Sequence, residues 1–109
     1  MEFVATLDTS ELPEGQMKKV VIGDVDVLLA NVGGEYYAIA NKCNHLGGSL
    51  AGGRLEGGVV TCPKHGAQYD VTTGQALRGA KLAFLKMGVK DQESYAVRVE
   101  GTTIMVEKP

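Results

Sequence analysis

Two short stretches hold both cysteines and both histidines of the chain: Cys43-Asn44-His45-Leu46-Gly47-Gly48, and Cys62-Pro63-Lys64-His65-Gly66-Ala67-Gln68-Tyr69-Asp70. Each supplies one thiol and one imidazole on a loop with glycines beside it. Sixteen residues, Leu46 to Thr61, lie between His45 and Cys62. A mononuclear zinc site more often pairs Cys with Cys and His with His, as in C-x2-4-C and H-x3-5-H. Here the order is Cys-x-His, then Cys-x2-His. That order suits a two-iron cluster in which one iron takes both cysteines and the other both histidines. A structural zinc module that mediates an interaction stands as the competing reading. Colour separates the two, because an iron–sulfur protein is red-brown and a zinc protein colourless.

These residues resemble the Rieske proteins, and among them the small soluble Rieske-type ferredoxins. The resemblance is most specific over Cys43 to Asp70. It extends more weakly along the flanking strands, apart from about 15 residues after Gly79. It implies one Rieske-type 2Fe-2S cluster, with Cys43 and Cys62 on one iron and His45 and His65 on the other. Two ferric ions and two sulfides carry a formal charge that two thiolates cancel, so the oxidised site is neutral. Four thiolates would make it a dianion, which accepts an electron less readily. Rieske potentials accordingly span about −150 to +300 mV, against roughly −400 mV for plant-type ferredoxins. Such a chain moves one electron and breaks no substrate bond, so an enzyme label fits only the complex it serves. The resemblance implies a carrier between a flavin-dependent NAD(P)H reductase and a terminal oxygenase that hydroxylates aromatic or similar compounds. The alternative is a small Rieske subunit of a larger reductase such as nitrite reductase.

Departures from the family pattern narrow the expectation. Respiratory and photosynthetic members tie the two ligand loops with a disulfide, whose positions are Gly48 and Lys64 here. They also carry a serine after the second His-Gly, where this chain has Ala67 and so no hydroxyl donor to a bridging sulfide. Donors to the sulfurs raise the potential, so the low-potential class is expected. Tyr69 stands where the family places a tyrosine whose hydroxyl reaches a ligand sulfur, and it reads equally as a half-buried strand aromatic. The family usually covers the cluster with a proline-containing loop, yet no proline lies between Pro63 and Pro109.

The rest of the chain must position these loops. Its 109 residues are 44% apolar, enough for one modest core. Net charge is −2 and the pI about 5.6, and Lys42, Lys64 and Lys81 are scattered among acids, which argues against nucleic acid. Met1-Glu2 opens without a basic region or an adequate apolar run, so no secretory leader is expected. The longest clearly apolar run, Val27 to Ala30, is far too short to span a bilayer. Both cysteines are committed to the motif, which places the chain in a reducing cytoplasm, and a monomer is expected.

Strand patterns run throughout. Phe3 to Leu7 reads as a first strand and Thr9 to Gln16 as a loop. Lys18 to Ile22 and Val25 to Val32 flank Gly23-Asp24, and Gly33-Gly34 leads into Glu35–Ala40, two hairpin signals. Arg54-Leu55-Glu56, Gly57-Gly58 and Val59-Val60-Thr61 form a further hairpin between the motif halves. Gln68 to Val71 leaves the second loop. Ala96 to Glu100 alternates, with Val97 and Val99 inward, and turns at Gly101-Thr102 into Thr103 to Glu107. Arg78 to Ser94 fits strand or short helix, with Leu82, Phe84 and Leu85 as core filling. Many short strands with glycine turns indicate an all-β fold. The resemblance implies a Rieske fold of stacked antiparallel sheets: one domain over residues 1–109, with an inserted cluster-binding subdomain at about 41–77. Gly47, Gly48 and Gly66 would let backbone approach the sulfides. Around the histidines, Leu46, Leu50 and Pro63, edged by Lys42 and Lys64, suggest an apolar docking tip with a positive margin.

Overall fold

The computed structural model describes residues 2–43, 48–63, 66–78, 80–82, 85–87 and 90–109. Among them the strands are β1 (Phe3–Asp8), β2 (Met17–Ile22), β3 (Val25–Val32), β4 (Glu35–Ala40), β5 (Arg54–Glu56), β6 (Val59–Thr61) and β7 (Gln68–Asp70). They continue with β8 (Ala76–Arg78), β9 (Ala80–Leu82), β10 (Leu85–Met87), β11 (Ser94–Tyr95), β12 (Val97–Glu100) and β13 (Thr103–Glu107). Single 3-10 turns occupy Thr9–Glu11 and Leu50–Gly52. Three antiparallel sheets result, ordered β1-β13-β12, β11-β4-β3-β2 and β5-β6-β7-β8, and β9 pairs with β10 alone. The chain is therefore all-β, as its glycine-punctuated pattern implies.

The middle sheet is covered on both faces, and β3 shows why. Side chains alternate across a strand. Leu28 and Ala30, with Ile39 of β4, pack against Val60, Tyr69 and Val71 of the β5–β8 region. Val27 and Leu29, with Ala38, pack against Ile104 and Val106 of β13 on the other side. All four residues from Val27 to Ala30 are fully buried, so the uninterrupted apolar run is what a two-sided strand requires. Each of Val27, Leu28 and Leu29 contributes about 1.5–3 kcal/mol relative to exposure. The ligand stretches therefore stand on one face of a sheet whose other face is itself anchored.

The expected hairpins form. Gly33 and Gly34 both take positive φ (63° and 89°), the mirror-image turn that matches strand twist. Buried Asn31 locks this hairpin to the preceding loop: its side chain accepts from the Gly34 N–H at 3.0 Å and donates to the Leu12 carbonyl at 2.9 Å. Two expectations need correction. The stretch from Thr9 is not a plain loop, because Asp8 caps a 3-10 turn there through the Ser10 N–H. Val99 is not inward but 44% exposed; it pairs with buried Ile104, yet β12 is the sheet edge, where the covering layer ends. Of the two readings left open for the segment from Arg78, strand or short helix, β9 and β10 take the strand. Phe84, and the side-chain packing of Leu82 and Leu85, lie outside the described residues.

Candidate metal centre

Both motif halves are loops between strands, and both are closed in the same way. β4 runs on through Asn41 and Lys42 to Cys43, whose N–H donates to the Gly48 carbonyl at 2.7 Å. Lys42 and Ser49 form an isolated antiparallel bridge just outside that bond. In the second loop the Cys62 N–H donates to the Ala67 carbonyl at 2.7 Å, and Thr61 pairs with Gln68 outside it. Each cysteine thus opens its loop, with its own N–H crossing to the carbonyl five residues on. Gly66, with φ at 76°, makes the return of the second loop, and its N–H donates to the Cys62 carbonyl at 3.2 Å. An L side chain rarely adopts that φ.

The sulfurs lie inside the protein. Cys43 is 2% and Cys62 3% exposed, in one core cluster with Leu50, Val60, Ala67, Tyr69 and Val71. No disulfide joins them. Tyr69 is wholly buried, and its hydroxyl lies 3.4 Å from Cys43 Sγ. Burial drives the Tyr69 phenol far above its ordinary pKa, helped by the hydrogen bond to Cys43 and by the negative charges Cys43 and Cys62 carry as thiolates. Both sulfurs therefore act on one hydroxyl. That phenol stays protonated at any working pH, so towards a thiolate it can only donate. Of the two readings open for Tyr69, the structure selects the sulfur contact.

Two buried thiols on matched loops, with a proton donor aimed at one of them, fit a metal held by both sulfurs. His45 and His65, with Leu46, Gly47 and Lys64, lie outside the described residues. Pro63 and Lys42 are exposed, as expected of a loop margin. Leu50 is corrected: it is fully buried, because the 3-10 turn Leu50–Gly52 rolls it inward, and it cannot belong to a docking tip.

Sequence reasoning missed the residues that hold the first loop. Asn41 is 2% exposed; its side chain donates to Ser49 Oγ at 3.0 Å and accepts from the Ala51 N–H at 2.9 Å, while its carbonyl accepts from the Leu50 N–H at 2.9 Å. One buried amide thus spans the base of the loop. Gly53 was missed as well. Its φ of −93° is ordinary, but a Cβ there would overlap the Thr61 carbonyl oxygen and lie 3.2 Å from Pro63 Cδ. Glycine is needed because the two loops approach closely at this point.

Comparison with known proteins agrees with this geometry. The profile of the family described as "Rieske [2Fe-2S] domain" matches residues 2–87. The ferredoxin component of the naphthalene 1,2-dioxygenase system of Pseudomonas aeruginosa is 35% identical over 97 residues, which cover 89% of this chain and 86% of that protein. Among solved structures, the ferredoxin of carbazole 1,9a-dioxygenase from Nocardioides aromaticivorans IC177 aligns over the whole of both chains, with a TM-score of 0.86 and 26% identity. A chain from the complex of reduced oxygenase and oxidized ferredoxin in carbazole 1,9a-dioxygenase aligns with a TM-score of 0.79 and 25% identity, over 98% of this chain and 95% of that one.

Proposed function

Because the chain belongs to the family of Rieske [2Fe-2S] domains, we propose that it ferries single electrons from a flavin-dependent NAD(P)H reductase to a terminal oxygenase. The cofactor is one Rieske-type [2Fe-2S] cluster, which displaces the zinc reading. When bound, it would supply reversible storage of one electron.

The chain's own residues would act as follows. Cys43 and Cys62 hold one iron and His45 and His65 the other. Burial of the two thiolates keeps water from their sulfurs. The Tyr69 hydroxyl holds its proton against Cys43 Sγ and so favours added negative charge there. Ala67, 1% exposed, offers no hydroxyl and keeps the potential low. No residue is assigned a catalytic role. The observation that carries the reading is the pair of buried, unbridged thiols on identically closed loops with the Tyr69 hydroxyl at one of them.

The oxygenase as acceptor is supported by what the relatives are named: a component of a naphthalene dioxygenase system, and a member of an oxygenase–ferredoxin complex. The reading further takes residues 1–109 as one domain whose cluster-binding part, about 41–77, is built on the β5–β8 sheet. A reducing cytoplasm fits two cysteines that form no disulfide, and the reading takes the carrier as a monomer. No helix among the described residues is long and apolar enough to cross a membrane. The test is anaerobic purification with iron and sulfide analysis, then stopped-flow mixing with candidate NAD(P)H reductases and ring-hydroxylating oxygenases. Reduction by the first and reoxidation by the second is expected. Stoichiometric zinc without iron, or electron delivery to a nitrite reductase and to no oxygenase, would overturn it.

A further inference from the structure

Gln92 lies beyond the residues matched to the family, in the segment that leads to β11. Its side chain is 5% exposed. The amide nitrogen donates to two main-chain carbonyls, Ala40 and Lys42, each at 2.8 Å. Those carbonyls bracket Asn41, the residue that spans the base of the first loop, and Lys42 immediately precedes Cys43. The Gln92 main chain reaches the other way: its N–H donates to the Gly74 carbonyl at 2.7 Å. Gly74 closes the turn that follows β7, with its own N–H on the Asp70 carbonyl at 2.7 Å. That turn belongs to the sheet carrying the second loop. The approach is close enough that a Cβ on Gly74 would overlap the Gln92 carbonyl oxygen. Next door, the Ala40 N–H donates to the Glu93 carbonyl at 2.8 Å.

We infer that Gln92 is a positioning residue that fixes the Cys43 loop relative to the sheet bearing Cys62. The two thiolates come from loops built on different sheets, and the mouth of each loop is closed by its own hydrogen bond. Contacts between the two frames set the distance between them; the Tyr69 hydroxyl at Cys43 Sγ is one, and Gln92 supplies others. Gln92 joins both frames through three hydrogen bonds made by one residue. A side-chain amide nitrogen has two hydrogens, and here each has a carbonyl. Removing them takes the donor from two part-buried main-chain acceptors at the root of the Cys43 loop, and an acceptor left short of its partner costs stability. The inference rests on the cluster reading above, because it concerns the geometry of the sulfur ligands.

The experiment uses the holoprotein with Gln92→Ala, Gln92→Met and, as a control, Asn31→Ala. Asn31 is an amide of similar burial that bridges Leu12 and Gly34, away from both ligand loops. Visible circular dichroism reports the cluster's surroundings, and bleaching under a chelator gives the rate of cluster loss. Both Gln92 variants should alter the dichroism and release the cluster about ten-fold faster or more, the usual scale for residues that support metal ligands. Asn31→Ala should lower the melting temperature with the dichroism unchanged. If Gln92→Ala yields no holoprotein, Gln92→Met, which fills similar space without donors, decides the comparison. Wild-type dichroism and release rate in the Gln92 variants, or changes that Asn31→Ala reproduces, would overturn the inference. A wild-type protein without iron would instead sink the cluster reading itself.

Discussion

The Tyr69 hydroxyl should set part of the midpoint potential, and its removal should lower that potential. Tyr69→Phe keeps the buried ring and deletes only the oxygen 3.4 Å from Cys43 Sγ. A hydrogen bond to a charged group contributes about 1.5–3 kcal/mol. The lower end applies here, since 3.4 Å is long for a strong bond and a metal-bound thiolate shares its charge. Only the part that grows when an electron is added bears on the potential. Taking that part as about half gives roughly 0.75 kcal/mol, or about 30 mV at 59 mV per tenfold for one electron. A fall of about 20–60 mV is therefore expected, because losing the donor weakens the more negative, reduced form. Protein-film voltammetry at fixed pH and salt measures it, with iron content confirming a full cluster. Tyr36→Phe is the control, since Tyr36 packs against the opposite core cluster and should leave the potential alone. A shift below about 10 mV, or a rise, would refute the reasoning. It would mean that the added charge lies too far from Cys43 for this bond to matter.

Other outcomes follow from the same geometry. Ala67→Ser places a hydroxyl at a buried position whose carbonyl already closes the second loop. It should raise the potential by tens of millivolts, and voltammetry showing a fall would mean that another donor already serves that sulfur. Gly53→Ala forces a Cβ onto the Thr61 carbonyl, one residue before Cys62. Overpacking typically costs about 1–3 kcal/mol, and each kcal/mol lowers the melting temperature of a domain this size by about 4–8 °C, as calorimetry of the holoprotein would show. Cys43→Ala and Cys62→Ala should each purify without acid-labile sulfide, because one sulfur ligand cannot hold the iron. At Asp8, the Ser10 N–H, then the Ser10 and Thr102 hydroxyls, hold the carboxyl below its ordinary pKa. A lowered folded pKa stabilises above the unfolded value and is lost as pH falls through the folded one. The melting-temperature gap between wild type and Asp8→Asn should therefore be open at pH 6 and narrow below about pH 4.

How much of this the sequence could disclose depends on how far apart the bonded residues lie. The ligand loops were legible because their closures are local. Cys43 to Gly48 and Cys62 to Ala67 are five-residue spans, and glycine beside cysteine and histidine marks such loops directly. The hairpins were legible for the same reason, down to the pairing of Arg54–Glu56 with Val59–Thr61. Burial was less so. Val99 alternates like an inward residue, but only the sheet order reveals that β12 is an edge. Leu50 looked like a loop-tip residue because nothing in the sequence announces a 3-10 turn after Ser49. Gln92 was invisible. Its partners lie 50 and 52 residues away, in a segment with no periodicity, and a glutamine between two acids reads as surface. The contrast has a physical root. Local closures give each loop its shape, and chain entropy makes such short spans easy to form. The relation between the loops also draws on residues distant in sequence, Gln92 on Ala40 and Lys42 and Tyr69 on Cys43. On the proposed ligand set a cluster takes one thiolate from each loop and so depends on both levels: the motif offers the ligands, and the long-range bonds of Gln92 would decide how well they fit.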